Sequence, residues 1–237
     1  MGRMNYIFDV DGTLTPGDGC MDTSFMEWFK IFEHTHHVYL VTGTDKKNTI
    51  RRVGRDVFYR AKRVYCNYGN VVYEGDNEVY NMPWEVPDEI RSFLSKELRN
   101  SKFTIRTGNH MDKTAGRIRF SVLGQKGSKE QKNAYKMWDM KTNERAEIAS
   151  KFNKKFIDHH AAIHWKGLEL NITPRHQHKS QMLRDFDGNI KFFGNDFDIG
   201  GSDRGLYKGV RKLGGATYKV YDDKHTWELL HHETSIC

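Results

Sequence analysis

The chain has 237 residues and a net charge of +7; 37% of residues are hydrophobic, 29% are charged, and only four are proline. That is enough chain to bury a real core, a composition too apolar for disorder, and nowhere near the ~18 consecutive apolar residues of a membrane-spanning helix. Cysteines at 20, 66 and 237, with no C-x-x-C pair, exclude a disulfide framework and a zinc ribbon; with no signal-peptide pattern either, the expectation is a cytoplasmic protein whose positive charge favours anionic partners.

In chain order, "MNYIFDV" (4–10) is a buried strand, and "TSFMEWFKIFEHT" (23–35) is a helix with Phe25, Trp28, Phe29 and Phe32 at helical spacing. "HHVYLVTG" (36–43) and "KRVYCNYG" (62–69) are strands flanking one helical pattern at 44–63, which puts Lys47, Arg51 and Arg55 on one face, opposite Ile50, Val53 and Val57. "VPDEIRSFLSKELRN" (86–100) is a helix, and "KFTIRT" (102–107) and "GRIRFSVLG" (116–124) alternate like half-exposed strands. A single long helix over 128–156 precedes the strand-like "AAIHWKG" (161–167) and "LELNIT" (168–173), and two further strands, "IKFFGND" (190–196) and "ATYKVYDD" (216–223), follow. Strand and helix alternating at both ends predict an α/β fold, a doubly wound and mainly parallel sheet built from 1–83 and 177–237. Its middle, 84–176, reads as an inserted α+β unit.

The first strand ends in "DVDGTLTP", which sets Asp9 and Asp11 one residue apart. In parallel sheets ligands gather beyond the carboxyl ends of strands, and two adjacent carboxylates stay ionised together only with a cation between them. A Mg²⁺ ion completed by substrate phosphate oxygens meets that demand; a bare D-x-D-G also occurs as a simple turn cap.

The longer string Asp-x-Asp-Gly-Thr-Leu-Thr resembles the first motif of the haloacid dehalogenase superfamily of phosphotransferases. That resemblance implies that Asp9 is the nucleophile that becomes an aspartyl phosphate, that Asp11 is the general acid–base, and that Mg²⁺ is the cofactor. It also implies a phosphoryl-binding hydroxyl after the second strand, either Thr42 or Thr44 around Gly43, and a phosphate-neutralising lysine at Lys179, with His178 beside it. "IKFFGNDFDIGGSDRG" is similar to the F-F-G-D and G-G-N-D pattern of eukaryotic phosphomannomutases, where acids hold the metal. Asn195 stands at the first acid, so Asn195, Asp196 and Asp203 join Asp9 and Asp11 as candidate metal ligands.

The likeness continues into the insert, as a substrate-specificity cap, but with departures: Tyr68 replaces the usual Asn before Gly69, Gln125 and Thr114 replace two arginines, and Glu169 and Asn171 replace a Ser and an Asp. Arg117, Arg119 and Lys132 are left as the cations that could contact substrate. A retained catalytic set under a rewritten cap leads to a phosphomonoester hydrolase acting on a small phosphorylated metabolite, a sugar phosphate or nucleotide. The alternatives are a phosphohexomutase, a nucleic-acid-binding protein or nucleic-acid-end phosphatase using the basic stretch 46–63, and a weak relative disabled by Asn195. No membrane partner is expected.

Overall fold

The computed structural model describes residues 4–17, 19–163 and 167–234. The chain divides into two compact units, Met1–Met82 with Gln177–Cys237, and Pro83–His176.

In the first unit, β1 (Asn5–Asp9), β2 (His37–Val41) and β3 (Arg63–Cys66) are parallel neighbours. They are separated by α1 (Thr23–Thr35) and by the pair α2 (Lys46–Val53) and α3 (Arg55–Arg60). Asp22 sets where α1 begins, its carboxylate accepting from the N–H groups of Ser24 and Phe25 at 2.9 and 3.0 Å. The helix then lays Phe29 and Phe32 against Phe8 and Tyr6 of β1, with ring centroids 5.2 Å apart for Phe8 and Phe29. Alternation along β1 sends Ile7 to the opposite face, into a second apolar cluster with Val41 and Tyr65.

The helical pattern at 44–63 is two helices, because Gly54 stands between them at φ +84° with its backbone outside the helical region. Arg55 therefore leaves the face shared by Lys47 and Arg51. An antiparallel hairpin that the sequence pattern did not show, β4 (Val71–Glu74) and β5 (Asn77–Asn81), extends the sheet beyond β3.

The inserted unit consists of α4 (Asp88–Asn100), β6 (Met111–Lys113), β7 (Ile118–Phe120), α5 (Lys129–Thr142), α6 (Glu144–Lys155), β8 (His159–Ile163) and β9 (Leu170–Pro174). Its sheet runs β6-β7-β9-β8, every pair antiparallel. Residues 102–107 are not a strand, contrary to expectation. The Arg106 guanidinium binds the carbonyls of Phe103, Ile105 and Leu98, which removes acceptors a ladder would need, and Met111–Lys113 pairs with β7 instead. The long helix expected over 128–156 breaks at Asn143, whose φ of +54° is left-handed and which an asparagine tolerates; the Asp139 carboxylate accepts the Arg145 N–H at 2.8 Å as the second helix starts. Of "AAIHWKG", residues 164–166 lie outside the described residues.

Back in the first unit, a 3₁₀ turn (Lys179–Asp185) leads to β10 (Ile190–Gly194), α7 (Arg204–Lys212), β11 (Ala216–Lys219) and α8 (Asp223–Thr234). Met182, Leu206 and Val210 pack on the Ile7 face, and Phe25 of α1 stacks on Trp227 of α8 with centroids 5.3 Å apart. The sheet order is β11-β10-β1-β2-β3-β4-β5, with β11 to β3 parallel. Strand order reverses between β1 and β10, so the carboxyl ends of β1, β2 and β10 share the crevice where such sheets bind ligands.

Candidate active site

At the end of β1 the chain folds back on itself. The N–H groups of Thr13, Leu14 and Thr15 all point at the Val10 carbonyl, at 3.3, 3.0 and 3.2 Å, which holds Asp9 and Asp11 at the base of a tight loop. Gly12 is required here by contact as well as by its φ of +84°: a Cβ on it would stand 2.2 Å from Nδ2 of Asn195. The asparagine after β10 is thereby pressed against the first motif.

Asp9 is 2% exposed and Lys179 is 3% exposed, and the Lys179 ammonium sits between two carboxylates, 2.5 Å from Oδ1 of Asp9 and 2.6 Å from Oδ1 of Asp203. The second oxygen of Asp203 accepts the backbone N–H groups of Asn195 (3.2 Å) and Asp196 (3.0 Å). Burial, and then the Asp203 charge, push the Asp9 carboxyl up to about 7, while Lys179 pulls it down. For Lys179, burial works against the charge, but the Asp203 and Asp9 carboxylates outweigh it and hold the ammonium above the usual lysine range. Two buried acids against one ammonium leave one negative charge for a proton or a cation to balance.

Asp11 has different partners. Its carboxylate pairs with the Arg52 guanidinium of α2 and lies 3.5 Å from the Thr42 hydroxyl. Arg52 is a residue the sequence did not single out, since it counted among the basic residues of a solvated helix face. Its side chain is only 11% exposed, and its carbonyl accepts the Met21 N–H at 2.7 Å, so Arg52 holds the loop of 11–21 at both ends. Other members of that basic stretch are also engaged: Lys46 with Asp76 at 2.6 Å and Arg63 with Glu74 at 2.6 Å.

Thr42 is fully buried; its hydroxyl accepts the Thr44 N–H at 3.1 Å, and the Thr44 hydroxyl is turned back to Thr42 (3.0 Å) and Thr49 (3.1 Å). Between the two candidate threonines, Thr42 is the one next to Asp11. The His178 ring instead caps the 3₁₀ turn, its Nδ1 within 3.3 Å of the Ser180 N and 2.6 Å of the Ser180 hydroxyl.

Among the described residues no three His, Cys, Asp or Glu side chains cluster as a metal cage. Of the nominated ligands, Asp203 has both oxygens engaged, Asp196 accepts the Ser202 N–H at 2.7 Å, and Asp11 is paired with Arg52. Oδ2 of Asp9 is reached by the Thr13 hydroxyl at 3.5 Å rather than by the Lys179 ammonium, and the Asn195 amide lies close by on Gly12. Two oxygen donors beside a negative charge still to be balanced fit a hard cation that keeps water and phosphate oxygens as its remaining ligands.

In the 83–176 unit, Ile118, Phe120, Leu170 and Ile172 of β7 and β9 are buried in that unit's apolar cluster. The alternate residues Arg119 and Asn171 are register partners, and Asp112 lies across from Arg119 and pairs with its guanidinium. Arg119 Nε, Asn171 Oδ1 and, on β8, His160 Nδ1 are buried with no hydrogen-bond partner among the described residues. Lys132 is exposed on the first turn of α5.

The family model of eukaryotic phosphomannomutase matches residues 25–232. The matched stretch begins after Asp9 and Asp11. A phosphomannomutase of Spinacia oleracea is 26% identical over 218 residues, covering 88% of this chain and 88% of that protein. An IMP-bound IMP-nucleotidase of Plasmodium falciparum superposes with a TM-score of 0.63 at 15% identity, over 100% of this chain and 68% of that one. A haloacid dehalogenase-like hydrolase from Bacteroides thetaiotaomicron does so with a TM-score of 0.61 at 12% identity, over 98% and 100%. At these identities the two structures bear on the fold alone.

Proposed function

The chain belongs to the eukaryotic phosphomannomutase family, within the haloacid dehalogenase superfamily of phosphoryl-transfer enzymes, and from that premise we propose that it is a Mg²⁺-dependent phosphomonoesterase. Its substrate is a small phosphorylated metabolite, a sugar phosphate or nucleotide. What carries the proposal is the buried chain of Asp9, Lys179 and Asp203 with Asp11 two residues from the nucleophile.

An oxygen of Asp9 attacks phosphorus, the bond from phosphorus to the ester oxygen breaks, and the departing oxygen takes the proton of Asp11. Water then attacks the aspartyl phosphate, gives its proton to Asp11, and the bond from phosphorus to Asp9 breaks to release inorganic phosphate. Lys179 keeps Asp9 in place and stabilises the charge that gathers on the phosphoryl oxygens, and Thr42 donates to one of them. Mg²⁺, when bound, would be held by Asp9 and Asn195 and would supply further neutralisation of phosphate charge. Arg52 holds Asp11 oriented between steps.

The second reading, a phosphohexomutase, is favoured by the family match, which runs through the whole 83–176 unit. There a sugar hydroxyl rather than water accepts the phosphoryl group. Incubation with a hexose 1-phosphate and Mg²⁺ separates the two: the hydrolase releases inorganic phosphate faster than it forms hexose 6-phosphate, and the reverse ratio establishes the mutase. Asp9→Asn should lower both products on the order of a thousandfold or more; an unchanged rate would remove Asp9 from the chemistry.

A further inference from the structure

Between β3 and β4 three consecutive residues are left-handed: Asn67 at φ +50°, Tyr68 at +62° and Gly69 at +88°. Glycine takes this conformation freely and asparagine at little cost, whereas a tyrosine stores strain in it. Strain of this kind persists only where surrounding contacts enforce it, and it collects at functional sites.

The enforcing contacts come from both sides of the candidate active site. The N–H groups of Asn67 and Tyr68 donate to the carbonyls of Thr44 and Thr42, each at 2.9 Å, which ties the segment to the threonine turn after β2. From the other side Gln181, two residues beyond Lys179, donates its amide to the Tyr68 carbonyl at 2.6 Å. The phenol consequently rests on the threonine turn: a Cβ on Gly43 would lie 2.8 Å from both Cζ and Oη of Tyr68. Gly43 is what lets the far end of the ring approach.

We propose that Tyr68 is a further substrate-binding residue, its hydroxyl donating a hydrogen bond to a non-bridging oxygen of the phosphoryl group held at the 42–44 turn. The assignment rests on the phosphoryl-transfer reading. A phenol adds a donor without adding charge, in a site that already holds a cation in Lys179 and has an amide, Asn195, in place of one acid. Asparagine, which fits the left-handed backbone better, is too short to carry a donor onto Gly43.

The test uses full-length protein with inorganic phosphate as the probe, by titration calorimetry, alongside turnover of a phosphomonoester and thermal unfolding. Tyr68→Phe keeps the ring; it should unfold at the wild-type temperature while binding phosphate about tenfold more weakly, with kcat/KM reduced to match. Tyr68→Asn should show the same loss of affinity with equal or higher thermal stability, because the backbone strain is relieved. Unchanged phosphate affinity and turnover in Tyr68→Phe overturn the assignment while leaving the phosphoryl-transfer reading intact. So does a drop in unfolding temperature in both variants, which would make Tyr68 a packing residue. A wild-type protein that neither binds phosphate nor turns over any phosphomonoester overturns both.

Discussion

Asp9, Lys179 and Asp203 come from stretches of chain 170 and 24 positions apart and meet at 2.5 and 2.6 Å inside the first unit, whereas the charged pairs of the 83–176 unit are either local or, as for Lys113 with Glu85 and Lys151 with Glu97, looser at 3.4 Å. Arg119 reaches Asp112 across one strand pair, and Arg145 reaches Asp139 six residues away. The first arrangement is fixed by three elements at once, and removing any one member leaves buried charge behind. The second leaves Arg119 Nε, Asn171 Oδ1 and His160 Nδ1 buried without protein partners among the described residues. Groups that act on every substrate need one geometry; groups that select a substrate need spare hydrogen-bonding capacity.

The largest effect that could break this contrast is on Lys179. In Lys179→Met the Asp9 and Asp203 carboxylates remain buried with no cation between them, and removal of one partner from a buried ionic group costs about 3–5 kcal/mol. Unfolding followed by calorimetry in the absence of divalent cations should therefore show a fall of roughly 10 °C. The fall should shrink below about pH 7, where the Asp9 carboxyl takes up a proton. A loss under 1 kcal/mol would place the triad with ordinary surface ion pairs and remove its special standing.

What the sequence disclosed follows the same division. The strand that ends at Asp9 and the helix of Thr23–Thr35 are legible because a continuous apolar run and a 3.6-residue pattern of aromatic residues each have one physical meaning. Lys179 was placed by a family pattern alone, since nothing local distinguishes a lysine that will be buried 170 positions away from its partner. Arg52 went unnoticed for the converse reason: charge and helical spacing describe a solvated face equally well, and only the fold brings it to Asp11. The breaks at Gly54 and Asn143 were hidden because helical periodicity runs on across a single left-handed residue. The hairpin is harder to see because β4 has only two buried residues and β5 carries a polar pattern at the sheet edge, where burial imposes no alternation.

Glu33 sharpens the contrast from within the first unit, because it shows what burial does without a pinned partner. On α1 it is 9% exposed, both carboxylate oxygens lack a hydrogen-bond partner among the described residues, and burial pushes its pKa from an ordinary 4.5 to about 9, with Arg60 only partly offsetting this. Between those two values the folded state keeps a proton that the unfolded chain has lost, so stability is full below about 4.5 and declines as pH rises towards 9. The slope is on the order of 1 kcal/mol per pH unit, or about 2–3 kcal/mol between pH 5 and 8. Glu33→Gln should flatten that decline and raise the unfolding temperature at pH 8 more than at pH 5. Identical pH profiles for the two proteins would show the carboxyl to be solvated or paired.

The smallest effects are expected in the 83–176 unit, and they decide whether that unit selects or catalyses. Lys132 is exposed on α5 and Arg119 is half-exposed and tied to Asp112, so neither substitution to Ala should change stability by more than about 0.5 kcal/mol. Turnover of a minimal ester such as p-nitrophenyl phosphate, which offers nothing beyond its phosphoryl group for a selecting residue to hold, should also stay the same. For the preferred metabolite, KM should rise a few-fold while kcat holds, as follows when uniform binding to ground and transition states is removed. Should Lys132→Ala instead lower kcat equally for both esters, its charge acts on the phosphoryl group itself. The unit's cations would then belong with Lys179, and the division between a fixed catalytic set and an adaptable selecting surface would no longer hold.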